Sequence, residues 1–372
     1  MAMSKNGTNR DRSTATMQDI AEKLDISVAT VSRALRRIPG INAETRASVL
    51  QTASELGYRL AGNYRNPTNG KERLQHIGVF IETTHSILSH PYLTGLSEAA
   101  MALNSSLVIH HVKPGECEHL LDPAHQPRAM RSGLLSGIVL IFWWPGEVVR
   151  ALSQKLPTVS IMHKYPGADV DVVGLDNEGG MEMLVRELHR LGHRRIAFLG
   201  RCAKLHWSTA RFGGYVAALA SLNLEYRPEW VIEVDFDTLS KMDAAWSGHE
   251  AKIGKLTAEG ITAWVCATEP AGWIAHDCLS RRGIRVPEDV SVTGFHRPSV
   301  PETSTVDLTS VGASYEEIGG AALKRLHFRI QNPAEAARTI LFPCEYHPGS
   351  TVGPVFAQDE ALMKPLTFSH HP

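Results

Sequence analysis

The sequence predicts an α/β fold: a small all-helical headpiece ahead of a body of parallel sheets with helices on both faces. Three observations carry this. Residues 16–35 read as two short helices joined by a tight turn. Beyond residue 75, short β-rich apolar runs alternate with amphipathic helical patterns, the signature of βαβ units. The length of 372 residues exceeds one small domain and fits a headpiece plus a two-lobed body.

The headpiece is read from its caps. Thr16 with Asp19 forms a capping-box pattern at the first helix. Ile20, Ala21 and Leu24 then share one helical face. Ser27 suits the N-cap of a second helix over 28–35, in which Val31 and Leu35 point to the core with Ile26. That leaves Val28, Ala29, Ser32, Arg33 and Arg36 for solvent or DNA. Arg33 offers a bidentate donor pair to guanine, and Val28 or Ala29 an apolar contact for a thymine methyl. Asn42 caps a third helix over 43–56, and Gly57 ends it. The arrangement is a helix-turn-helix, whose bland alternative is a small bundle with no DNA role.

In the body, strands are expected over 76–82, 107–112, 137–142, 158–162, 195–199, 263–267 and 290–294. Helices are expected over 92–104, 179–191, 211–222, 253–259 and 272–282. The Trp143–Trp144 pair after a strand fits either core or ligand wall.

Composition bounds the partners. The chain as a whole carries a net charge of −1, yet residues 1–75 hold 12 Lys/Arg against 7 Asp/Glu. The basic excess therefore lies on the DNA-reading part, the sign that phosphate contacts need. Five cysteines with no CxxC spacing read as free thiols of a reducing cytoplasm. No secretory signal is expected, and the longest apolar run, 137–144, is too short to span a bilayer. His110, His111, Cys117 and His119 could supply zinc ligands, but without a second matched pair the histidines read as surface residues. No catalytic constellation, phosphate loop or cofactor motif is present, so neither an enzyme nor a cofactor is expected.

These motifs carry a resemblance. Residues 17–58 resemble the DNA-binding headpiece of the lac-repressor (LacI/GalR-type) family through Asp19-Ile-Ala, Ala29-Thr-Val-Ser-Arg33, Glu44-Thr-Arg46 and Leu56-Gly-Tyr58. Further landmarks follow in the family's order: Ile77-Gly-Val-Phe-Ile, Gly174-Leu-Asp-Asn177, the run 191–200 and the run 286–294. The resemblance implies a periplasmic-binding-protein-like body. It sets a disordered tail at 1–15, a headpiece at 16–60, a hinge at 61–75, a body at 76–348 and a C-terminal tail at 349–372. The near lobe would comprise about 76–174 and 312–340, and the far lobe about 175–310 and 341–348. It further implies a cytoplasmic homodimer that binds a near-palindromic double-stranded DNA operator, with no membrane association. A small sugar or sugar-acid effector in the cleft would set operator affinity, most simply as a repressor.

The implied DNA-binding residues are Thr16, Ser27, Val28, Ala29, Thr30, Ser32, Arg33, Arg36, Asn42 and Arg59. The implied effector residues are Thr84, His85, Tyr92, His163, Lys164, His206, Trp207, Arg211, Thr268, Glu269, His296 and Arg297, with Tyr92 stacking on a sugar face. Two departures from the family stand out. His163 and His296, with Lys164 and Arg297 beside them, stand where the family has acidic and amide groups; with the guanidinium fork of Arg211 they point to an acidic or phosphorylated effector, unless the cations face solvent or form salt bridges and the histidines bond neutral hydroxyls. Pro67 and Gly70 interrupt the hinge, which would leave a hinge helix short or absent and opens an alternative, a carbohydrate-binding protein with impaired DNA binding.

Overall fold

The computed structural model describes residues 16–35, 41–56, 74–82, 90–113, 115–235, 238, 246–295 and 306–355. Arg36, Gly57, Arg59, Thr84, His85, His296 and Arg297 lie outside the described residues, as do both expected tails for the most part and the hinge up to residue 73.

Three helices build the headpiece: α1 (Met17–Leu24), α2 (Val28–Leu35) and α3 (Ala43–Glu55). Each starts where a side chain satisfies an orphan backbone donor. At α1 the Asp19 N–H donates to Thr16 Oγ1 at 3.3 Å, and the Thr16 N–H donates back to Asp19 Oδ2 at 2.6 Å, a complete capping box. The Thr30 N–H donates to Ser27 Oγ at 3.0 Å and the Thr45 N–H to Asn42 Oδ1 at 2.7 Å. Asp25, at φ 53°, stops α1 by turning left-handed, with its N–H on the carbonyls of Ala21 and Glu22. Ile20, Ala21, Val31, Ala34, Leu35, Val49 and Ala53 form the core, with Leu24 and Ile26 packed at its edge.

The chain divides into two compact units, one of residues up to 173 plus 315–340 and one of 174–314 plus the residues from 341 onward. The first contains a six-stranded sheet built from β1 (Gln75–Glu82), β2 (Ser105–Val112), β3 (Leu135–Ile141), β4 (Thr158–Ile161), β5 (Asp171–Leu175) and β11 (Thr339–Phe342). Its order is β11-β5-β4-β3-β1-β2, and the β2/β1, β1/β3, β3/β4 and β4/β5 pairs are parallel. Near-continuous apolar strands such as Leu135–Ile141 suit a sheet covered on both faces. Two of the covering helices, α4 (His90–Ala102) and α11 (Tyr315–Gln331), approach so closely that a Cβ at Gly95 would collide with the Glu316 carbonyl and one at Gly319 with the Tyr92 carbonyl.

Asp171 is fully buried in this unit and neutralised by two arginines of α11. Arg325 approaches it at 2.9 Å and Arg329 at 3.3 Å, and the Arg338 N–H donates to its Oδ1 at 2.6 Å. Arg329 also pairs with Asp169. The cluster pins β5 and the start of β11, the two strands at which the chain passes between units, to one helix.

The second unit holds a parallel four-stranded sheet, β7-β6-β8-β9, from β6 (Ile196–Arg201), β7 (Val231–Glu233), β8 (Ala263–Cys266) and β9 (Ser291–Thr293). A separate antiparallel pair joins β10 (Ser310–Gly312) to β12 (Glu345–His347). Helices α7 (Asn177–Arg190), α8 (His206–Ser221), α9 (Ser247–Ala258) and α10 (Glu269–Ser280) complete the unit. All four of these helices begin earlier than sequence periodicity suggests. The expected start at residue 211 moves to His206. The expected start at 272 moves to Glu269, because Thr268 accepts from the Ala271 N–H at 3.3 Å and Pro270 sits in the first turn. His193 is buried between the Thr262 hydroxyl and the Gly353 carbonyl, each at 3.0 Å, a packing role.

Candidate nucleic-acid and effector interfaces

Helix α2 presents Val28, Ala29 and Arg33 to solvent, while Thr30 and Ser32 are half-buried. The apolar face of the same helix is locked by Val31, Ala34 and Leu35. A rigid helix with a small apolar pair at its N-terminus and an exposed guanidinium one turn later has the shape and donors for a major groove. Thr16, Ser27 and Asn42 spend a side-chain oxygen on their helix caps, so each marks a helix N-terminus whose remaining N–H groups suit a phosphate.

Of the expected effector residues, His163 and Lys164 follow β4 and Thr268 follows β8, at carboxyl ends of strands, where open α/β sheets bind ligands. Several differ from expectation. Tyr92 is fully buried and not a sugar platform. It lies in the first turn of α4, stacked on Tyr315 at 4.9 Å and 16° and edge-on to Phe142 at 5.9 Å. After β4, His163 is buried and Lys164 exposed. The Trp143–Trp144 pair splits: Trp144 is core, with Nε1 donating to the Ile141 carbonyl at 3.1 Å, and Trp143 is 41% exposed.

In the second unit, Arg211 is 1% exposed. Its Nε donates to Asn177 Oδ1 at 2.8 Å and its Nη1 to the Ala267 carbonyl at 2.6 Å. Its guanidinium carbon lies 3.8 Å from the Phe295 ring centroid and 4.6 Å from that of Trp207. The expected free bidentate fork is therefore committed to the protein, and the cations available to an acidic ligand are fewer than the sequence suggests. Thr268 caps α10, and Glu269 is buried against Gly294, where a Cβ would meet its Cγ at 2.7 Å. His206 is exposed at the start of α8. Asn177 and Phe295 were not among the expected effector residues. Asn177 lies in the Gly174–Asn177 landmark, but its bond to a residue 34 positions away leaves no local signal.

Among the described residues no group of histidine, cysteine and carboxylate side chains could hold a metal ion, and all five cysteines are buried and unpaired. No helix of the described residues is long and apolar enough to cross a membrane.

Residues 16–60 match the family described as bacterial regulatory proteins, lacI family, and residues 185–352 match the periplasmic binding protein-like domain. Residues 16–60 thus carry a headpiece of the lacI family. Its relatives include the HTH-type transcriptional repressor PurR of Haemophilus influenzae, 26% identical over 336 residues that cover 87% of this chain and 94% of that one. Another is the HTH-type transcriptional regulator AglR of Rhizobium meliloti, 29% identical over 355 residues, 91% of this chain and 94% of that one. Among solved structures, a transcriptional regulator CelR–cellobiose complex matches with a TM-score of 0.63 and 22% identity, covering 91% of this chain and 99% of that one. The lac repressor dimer bound to operator and the anti-inducer ONPF matches at 0.62 and 21%, covering 92% and 100%. At these identities the structural matches establish the LacI-type fold.

Proposed function

We propose that this chain is a sequence-specific DNA-binding transcriptional repressor whose operator affinity is set by a small carbohydrate-type effector. The observation that carries the reading is the headpiece. A capped, well-packed helix-turn-helix exposes Val28, Ala29 and Arg33 on one helix and precedes a body of two α/β units. Relatives named as repressors match along nearly their whole length, which supports a regulator without catalytic turnover acting in the cytoplasm. A homodimer would set two headpieces on the two half-sites of a near-palindrome.

The effector is proposed to bind at the carboxyl ends of the strands. Of the cations expected there, Arg211 is committed to Asn177 and Ala267, and Lys164 keeps an exposed ammonium. Ligand binding that favours one arrangement of the body changes operator affinity by its differential affinity for the two. The test is selection of DNA from a randomised duplex pool by full-length protein. Recovery of one near-palindromic sequence supports the reading, and recovery of unrelated sequences contradicts it.

A further inference from the structure

The end of β3 shows an arrangement that the functional reading above leaves unassigned. Phe142 adopts φ 65°, the left-handed region that a non-glycine residue rarely occupies. The turn separates three consecutive rings. Phe142 packs edge-on to Tyr92, and Trp144 packs into the core, 6.2 Å from Phe80 at 81°. Trp143, between them, is left 41% exposed at the carboxyl end of the strand. The neighbouring strand β4 ends the same way, with Met162 at φ 73°. Non-glycine residues held left-handed persist only where the surroundings over-determine them, and they concentrate at ligand clamps.

One bond ties the two strand ends. The Trp144 N–H donates to the Tyr165 hydroxyl at 2.8 Å, and burial pushes that phenol well above its ordinary pKa, so it stays neutral. Trp143 and exposed Lys164 are each one residue from an end of this bond. The pair therefore sits on a fixed edge rather than on two independent loops.

From this geometry we infer that Trp143 is the aromatic platform on which the effector's sugar ring stacks, beside Lys164 as a polar partner. The inference rests on the effector reading above and names the residue that selects the ligand's class. An indole offers a large apolar face with negative quadrupole. The C–H face of a sugar ring matches it, whereas an acyclic acid has no face to present. Tyr92, the aromatic expected in this role, is spent on Tyr315.

The test is calorimetric titration of the full-length protein with glucose, ribose, cellobiose, glucuronate, gluconate and glucose 6-phosphate, repeated on Trp143→Ala and Trp143→Phe. A cyclic sugar bound by wild type is expected to lose at least about fivefold in affinity in the alanine variant and less than that in the phenylalanine variant. A smaller loss in Trp143→Ala, or equal losses in both variants, overturns the inference while leaving the effector reading intact. Binding of the open-chain gluconate alone overturns it too. Binding of none of the six overturns the carbohydrate reading itself, and the inference with it. Should Trp143→Ala not fold, Trp143→Gln is read by the same criteria.

Discussion

Arg211 donates from Nε to Asn177 Oδ1 at 2.8 Å, tying α8 to the first residue of α7. With Nη1 on the Ala267 carbonyl and the Phe295 and Trp207 rings against its guanidinium, this arginine holds three segments of the second unit together. It is an organiser of the strand ends before it is anything to a ligand. Replacing Arg211 with methionine keeps much of the volume but leaves a buried carbonyl and an amide oxygen without their donor. The expected cost is about 1–3 kcal/mol per orphaned group, read by urea unfolding without ligand. A variant as stable as wild type would return Arg211 to a pure ligand role.

Asp171 makes the corresponding prediction in the first unit. Asp171→Asn leaves Arg325 and Arg329 buried beside one remaining carboxylate, that of Asp169. Breaking one side of a buried ion cluster costs about 3–5 kcal/mol. Chemical denaturation is expected to show that loss, and a change below about 1 kcal/mol, the size of a surface pair, would refute it.

On DNA, Arg33→Ala is expected to cost about 1–3 kcal/mol and to relax preference at one base pair of the selected site. Uniform weakening on all sequences would make Arg33 a phosphate contact. Ser27→Ala removes a cap instead and is expected to lower headpiece stability by about 1 kcal/mol, with base preference unchanged.

His193 predicts a pH dependence. Burial lowers its pKa below the ordinary 6.5 and Arg194 adds to this, against a smaller opposing pull from the Gly353 carbonyl. The unfolded chain therefore takes up a proton first as pH falls. The stabilisation is complete above about pH 6.5 and is lost as pH drops from there toward the lowered folded value. Melting temperature should decline below pH 6.5, less steeply in His193→Gln than in wild type. Equal slopes would exclude the residue, since the other histidines with lowered pKa, such as His110 and His276, contribute to both proteins.

The features legible in the sequence are those set within a few residues. Thr16, Ser27 and Asn42 cap their helices because capping chemistry is local. Apolar runs gave the parallel strands. What stayed hidden depends on partners far along the chain. Tyr92 is buried by Tyr315, more than two hundred residues away, so nothing near position 92 signals it. Trp143 and Trp144 could not be told apart because the left-handed Phe142 breaks the strand alternation. The Asp171 cluster does leave a trace in the sequence: Arg325 and Arg329 share a helical face at four-residue spacing, and Asp169 and Asp171 sit at strand spacing.

A regulator with a sequence-reading headpiece must prefer one duplex over another. Its most direct test is binding of full-length protein to the duplex selected from a random pool, measured against a scrambled duplex at about 0.15 M salt. At least about a thousandfold preference for the selected site is expected, reduced by any carbohydrate found to bind as an inducer or raised by one that acts as a corepressor. Equal affinity for both duplexes would contradict it.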